Sequence, residues 1–282
     1  VAFAPLAGAA ACGGSAFSHD GATDGGAADS GLAPDADGGP VSDATPQDAD
    51  AALPFCANAG PHSFCEDFDT AGVPGKFIEV TSSSLLVASG AKIVADTTTF
   101  VSGPNSALAE TPALLRQNGD QATAVLEATI AAAGTAAPAM RFKWSAQLQV
   151  GPGCVANADG AIIGLLMTGS YGVAIAVLPA QTQLVELGFG NDGGVTDRRA
   201  QSFPAIPIEP RWVGIGVSLD LRLKTATVTV DGSAVLDTLT LTLSPPSSAP
   251  SASLFLGADV VDSQGISGGC HVHVDNVLFD VQ

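Results

Sequence analysis

The segment RWVGIGVSLDLRLKTATVTVDGSAVLD, residues 211–237, decides the fold. Val213, Ile215, Val217, Leu219 and Leu221 alternate with Gly214, Gly216, Ser218 and Asp220, the period of a strand with one face buried. A short polar break follows. Ala226, Val228 and Val230 then alternate with Thr225, Thr227 and Thr229. Asp231-Gly232 comes next, and Asp-Gly between two alternating apolar runs marks a tight hairpin. The segment therefore reads as two or three consecutive antiparallel strands.

The same period recurs on both sides. In 139–150, Met140, Phe142, Trp144, Ala146, Leu148 and Val150 share one face, against Arg141, Lys143, Ser145, Gln147 and Gln149. Residues 121–130 are rich in alanine but have a period of two, so a strand is expected rather than a helix. Further short strands are expected at 77–80, 85–88, 92–94, 162–167, 171–178, 184–189, 253–258 and 272–281. Residues 191–199 read as a polar loop, and 204–210 as a proline-rich crossing. In the last strand Val272 and Val274 have one parity, and Val277, Phe279 and Val281 the other; a bulge near Asp275-Asn276 would return all five to one face. About a dozen strands with frequent turn signals and no helical period predict an all-β, two-sheet antiparallel sandwich.

The tryptophan, the alternating strand, the polar break and TVTVDG resemble the laminin G-like and concanavalin A-like jelly rolls. In that resemblance residues 211–236 supply central strands, and 269–281 the closing strand. Phe64-Cys65-Glu66-Asp67-Phe68-Asp69 is similar to the first strand of such domains, which pairs with the last. The cysteine-bearing version, together with Ser102-Gly-Pro-Asn-Ser106, resembles predicted lipoproteins of myxobacterial type. The resemblance implies a concanavalin A-like jelly roll over 56–282.

The net charge of −18 is uneven. Residues 13–55 hold eight Asp and no Lys, Arg or Glu, and are otherwise mostly Gly, Ala, Ser and Pro. Such a tract buries too little apolar surface to offset its ordering entropy, so a disordered acidic linker is expected. The Asp35-Ala-Asp37 pair within it lacks the remaining ligands of a calcium loop. The acidic balance excludes nucleic acid as a partner. No apolar run is long enough for a membrane-spanning helix. Residues 1–12, VAFAPLAGAAAC, resemble the end of a bacterial lipoprotein signal, with Cys12 as the lipidated residue; an ordinary cleaved signal ending near Cys12 is the alternative. Four cysteines remain, enough for two disulfides in an oxidising compartment. Of the three possible connectivities, Cys56–Cys65 and Cys154–Cys270 are expected: a turn-prone run separates the first pair, and both members of the second sit at strand ends.

The chemistry is sparse. The resemblance implies a fold that also hosts glycoside hydrolases, but no Glu-x-Asp-x-Glu or Glu-x-Asp-x-x-Glu run is present to place two carboxylates on one strand face. Polysaccharide lyases of this fold use a Tyr, His, Arg and Gln cluster; this chain has one tyrosine, Tyr171, and no matching segment. Gly265-Ile-Ser267-Gly-Gly269 lacks the downstream helix, acid and histidine of a nucleophile elbow. His271 and His273 share a strand face, and a metal would need a further ligand such as His62. The resemblance also admits calcium at a loop rim, with Asp192, Asp197, Asp259 and Asp262 as candidates; no other cofactor is implied. Among aromatic platforms for sugars, Trp144 falls on the core face, leaving Trp212, beside Gly214 and Gly216, and Tyr171. The expectation is a non-catalytic lipoprotein, lipid-anchored at the outer membrane or cell surface, whose jelly roll binds a glycan or a surface protein. A polysaccharide hydrolase or lyase, or a purely structural envelope component, are the alternatives.

Overall fold

The computed structural model describes residues 54–282, apart from 71, 84–89, 115–119, 132–138, 157–159, 191–193 and 263–268. In chain order the strands are β1 (Phe64–Glu66), β2 (Ile78–Ser83), β3 (Lys92–Asp96), β4 (Ser106–Glu110), β5 (Asp120–Ala131), β6 (Arg141–Val150), β7 (Ala161–Thr168) and β8 (Tyr171–Val177). They continue with β9 (Gln181–Phe189), β10 (Val195–Pro204), β11 (Val213–Asp220), β12 (Thr225–Val230), β13 (Ser233–Thr240), β14 (Ser251–Asp262) and β15 (His271–Val281). Two four-residue helical turns, Phe55–Asn58 and Pro152–Val155, carry Cys56 and Cys154.

The strands form two antiparallel sheets, a jelly-roll sandwich. One runs β13-β12-β11-β6-β15-β4-β3, with β1 beside the second half of β15; the other runs β10-β9-β8-β7-β14-β5-β2. The opening segment behaves as its alternation requires. Val213, Ile215, Val217, Leu219 and Leu221 are all buried, and β11 pairs with β12 from Ile215–Val230 to Asp220–Thr225. Asp231 and Gly232 both take positive φ between β12 and β13, which is what an Asp-Gly hairpin needs. Phe142, Trp144, Ala146, Leu148 and Val150 point into the core, but Met140 is 42% exposed because β6 begins only at Arg141. Trp144 spans the sandwich: a Cβ on Gly164 of the opposite sheet would lie 2.9 Å from its ring. Only glycine leaves room there for the indole.

β15 carries the expected bulge. Its pairing with β6 shifts between Asp275 and Leu278, and Asn276 has φ 51°. Val272, Val274, Val277 and Phe279 consequently all reach the core. Two disulfides are present, Cys56–Cys65 and Cys154–Cys270. The polar run 191–199 differs from its reading as a loop: Val195–Pro204 is a ten-residue edge strand, most of it exposed. An edge strand with little buried surface shows no apolar alternation, so the period that identifies the other strands is missing. The expected strand at 85–88 lies outside the described residues.

Candidate functional site

β15 alternates across the sheet, so Val272 and Val274 enter the core while His271, His273 and Asp275 face the other way. Over this polar face lies an open groove of about 500 Å³, lined by Thr98, Thr99, Phe100, Gln149, Glu209, Pro210, Trp212 and His273. Four separate segments build it. The turn after β3 gives Thr98 to Phe100, the crossing before β11 gives Glu209, Pro210 and Trp212, and β6 and β15 give Gln149 and His273. Two hydrogen bonds hold the crossing against the end of β6: Glu209 N–H donates to the Val150 carbonyl (2.9 Å), and the Gln149 amide donates to the Pro210 carbonyl (2.8 Å).

Two lining residues, His273 and Glu209, belong to pairs of imidazoles and carboxylates whose other members, Asp96 and His271, lie beside the groove. His271 Nε2 lies 2.6 Å from Glu209 Oε1, and His273 Nε2 lies 2.8 Å from Asp96 Oδ2. Burial pushes the Asp96 carboxyl up, but it is outweighed by bonds from the Thr98 hydroxyl and N–H and by His273, leaving the pKa at about 2. The ionised Asp96 accepts the proton carried on His273 Nε2, an assignment that follows from the hydrogen-bond network. His273 Nδ1 is buried and has no hydrogen-bond partner, with Glu209 Oε1 3.9 Å away. A polar group arriving from the groove would satisfy it. The half-buried Trp212 packs edge-on against the His273 ring at 6.1 Å between centroids, and Phe100, 39% exposed, borders the same groove.

Trp212 and His273 are thus brought together, while other candidates are dispersed. Tyr171 is 3% exposed and offers no ring face to a ligand; its hydroxyl donates to Glu186 (3.2 Å) inside the sandwich. Its alternation within an apolar strand carried this outcome, and its buried partner on β9 made it tolerable. His62 does sit near β15, but against Asp280 at 2.9 Å, nine residues along from His271 and about 30 Å away by strand rise. Of the rim calcium candidates, the two whose side chains are described, Asp197 and Asp259, are not brought together. Asp197 lies in β10 and Asp259 in β14, four strand spacings apart, or at least about 19 Å. Asp259 is held by Gln121 and Thr123 (3.0 and 2.7 Å) on β5, and burial pushes its carboxyl up. Asp192, Ser267, Cys12, Asp35 and Asp37 lie outside the described residues, as does the side chain of Asp262. Among the described residues no group of three or more His, Cys, Asp or Glu is placed to hold a metal ion.

Two groove residues escape a reading of the sequence. Phe100 follows three threonines in a turn, with no period to expose it. Glu209 sits among prolines and is distant in the chain from both histidines.

No protein-family model matches the chain, nor does any curated protein sequence. Solved structures with a similar fold include the cellulose induced protein Cip1, at 12% identity and a TM-score of 0.49, covering 77% of this chain and 96% of that one. An alginate lyase from Klebsiella pneumoniae matches at 13% identity and a TM-score of 0.44, covering 65% and 84%. A botulinum neurotoxin type C structure, from work on cell entry through two ganglioside molecules, matches at 11% and 0.45, covering 73% of this chain and 48% of that one. At these identities the likeness concerns the fold, an all-β jelly-roll sandwich of two antiparallel sheets.

Proposed function

We propose that the protein is a non-catalytic glycan-binding module, carried on the acidic linker 13–55 and anchored to the cell envelope through a lipid on Cys12. The observation that carries the binding reading is the groove itself: the rings of Trp212 and Phe100 border the buried Nδ1 of His273, which has no hydrogen-bond partner. Sugars present apolar C–H faces together with hydroxyls that both donate and accept, and this pairing of aromatic rings with a polar ring nitrogen suits both. The charge of the groove narrows the class. Glu209 is among its described lining residues and no Lys or Arg is, so the carboxylates of a uronic acid polymer would be repelled. Neutral hexose polymers and amino sugars fit better.

One observation favours a second reading. The 2.6 Å His271–Glu209 pair is an imidazole oriented by a carboxylate, an arrangement that can serve proton transfer. Sugar lyases must also neutralise the substrate carboxylate, and no Lys or Arg stands among the described lining residues to do so, which weighs against that chemistry. A glycan array with the full chain and the Trp212→Ala variant tests the first reading. Binding to neutral or amino sugars that is lost in the variant supports it. Depolymerisation of any bound polysaccharide by the unmodified protein would move the assignment to the second.

A further inference from the structure

The groove beside Trp212 is rich in hydrogen-bond acceptors. Glu209 Oε1 meets His271 Nε2 at 2.6 Å, and Glu209 Oε2 meets no donor among the described residues. The Thr98 hydroxyl donates to Asp96 Oδ1 (2.6 Å), so its oxygen can only accept from a ligand. Gln149 donates an amide N–H to the Pro210 carbonyl (2.8 Å), and its Oε1 meets no donor among the described residues. His273, with 8% of its side chain exposed, keeps Nδ1 unpartnered 3.9 Å from Glu209 Oε1. Trp212 and Phe100 add two aromatic rings to the same lining.

Glu209 is fixed before any ligand arrives. Its N–H is bonded to the Val150 carbonyl and its carboxylate to His271. His271 reaches it because residue 151 is glycine: a Cβ there would collide with the imidazole ring. No Lys or Arg answers Glu209 from the described lining. Arg211, between Pro210 and Trp212 in the chain, is turned to Asp231 (2.6 Å). Lys92, in register with His271 through Glu110 of β4, is held by that glutamate (2.6 Å).

Resting on the glycan-binding reading, we propose that the groove selects a hexosamine polymer with free amines, one ammonium seated on Glu209 Oε2 and a sugar C–H face against Trp212. An ammonium brings three donors and no acceptor, which matches an acceptor-rich wall. Its bond to a carboxylate is charge-assisted, and an aromatic ring face attracts it as well. A hydroxyl in the same place donates once and carries no charge. An acetamido group removes the charge and turns a carbonyl acceptor toward a wall that already holds acceptors. The charge of −18 on the chain draws a polycation from a distance, but discrimination between amine and acetamide rests with Glu209.

The test titrates the full chain by calorimetry with three hexamers: glucose, N-acetylglucosamine and glucosamine, all β-linked. Ionic strength is physiological, and the pH keeps the amine protonated. The glucosamine hexamer should bind about tenfold more tightly than the other two, the worth of one charge-assisted bond. Glu209→Gln should bring the three affinities within about twofold of one another, and Trp212→Ala should weaken the glucosamine hexamer. Equal or tighter binding of either uncharged hexamer overturns the proposal and leaves the glycan-binding reading standing. If none of the three binds, the proposal falls, and the glycan array decides the wider reading. An amine preference that survives in both variants places the binding elsewhere, on the acidic linker 13–55 for instance, and also overturns the proposal. Should Glu209→Gln fail to fold, the three affinities of the unmodified protein and the Trp212→Ala variant still decide.

Discussion

Tyr171 is the only tyrosine in the chain, so a phenolate absorbance titration reports on a single known environment. Burial pushes its hydroxyl far above the ordinary value of 10.0, and the charge of Glu186, which accepts its hydrogen bond, pushes it further. The folded protein should therefore show no phenolate as pH passes through the range where a free tyrosine ionises. The sign for stability follows from linkage. The folded pKa is raised, so the folded state keeps its proton while the unfolded chain loses one above about pH 10. Stability from this group is intact below pH 10 and declines above it by about 1.4 kcal/mol per pH unit, or about 2.7 kcal/mol at pH 12. Tyr171→Phe removes the titration. Its loss of one hydrogen bond costs about 1 kcal/mol at neutral pH, but its stability should then fall less steeply than that of the parent between pH 10 and 12. Urea midpoints across that range, with absorbance followed in native buffer, provide the measurement. A phenolate appearing near pH 10 while the near-ultraviolet circular dichroism stays native would refute the buried Tyr171–Glu186 pair.

The disulfides should differ in worth. Cys154–Cys270 closes a separation of 116 residues and Cys56–Cys65 one of 9, which in the chain-entropy treatment gives about 4.9 and 2.7 kcal/mol. Replacing Cys154 and Cys270 by serine should accordingly lower the urea midpoint more than replacing Cys56 and Cys65; the opposite order would contradict this. Gly164→Ala sets a Cβ 2.9 Å from the Trp144 ring and should cost about 1–3 kcal/mol, read by thermal unfolding with tryptophan fluorescence. Cys12→Ser should move the protein from the membrane fraction to the soluble fraction without altering its Tm, and an unchanged membrane fraction would argue against lipidation.

How far the sequence could be read depended on whether the physics was local. Period-two burial is local, so the inward faces of β6, β11 and β12 follow from inspection. The parity break in 272–281 is equally local, and it places the bulge at Asp275-Asn276. What could not be read is what tertiary pairing alone creates. β10 gains its strand geometry from β9 through backbone bonds, with few apolar side chains to declare it. Tyr171 looks like an available aromatic until Glu186 is seen opposite it. The groove unites Phe100, Gln149, Glu209, Trp212 and His273, which belong to four stretches of chain.

The position of β15 has a consequence for the order of assembly. It lies between β6 on one side and β4 and β1 on the other, and among the described residues no other strand bridges those two halves of its sheet. In the opposite sheet β14 plays the same part between β5 and β7. β14 and β15 are the last two described strands. Among the described residues every strand pairing that joins β1–β5 to β6–β13 runs through one of them, and loop closures of this length are slow. In a chain threaded through a narrow pore from its N terminus, β2 could pair with β5 and β3 with β4 at once, but the two halves of each sheet would not join until β14 and β15 had come through. The topology itself would delay closure of the sandwich until those two strands arrive, with the Cys154–Cys270 bond available to seal it afterwards.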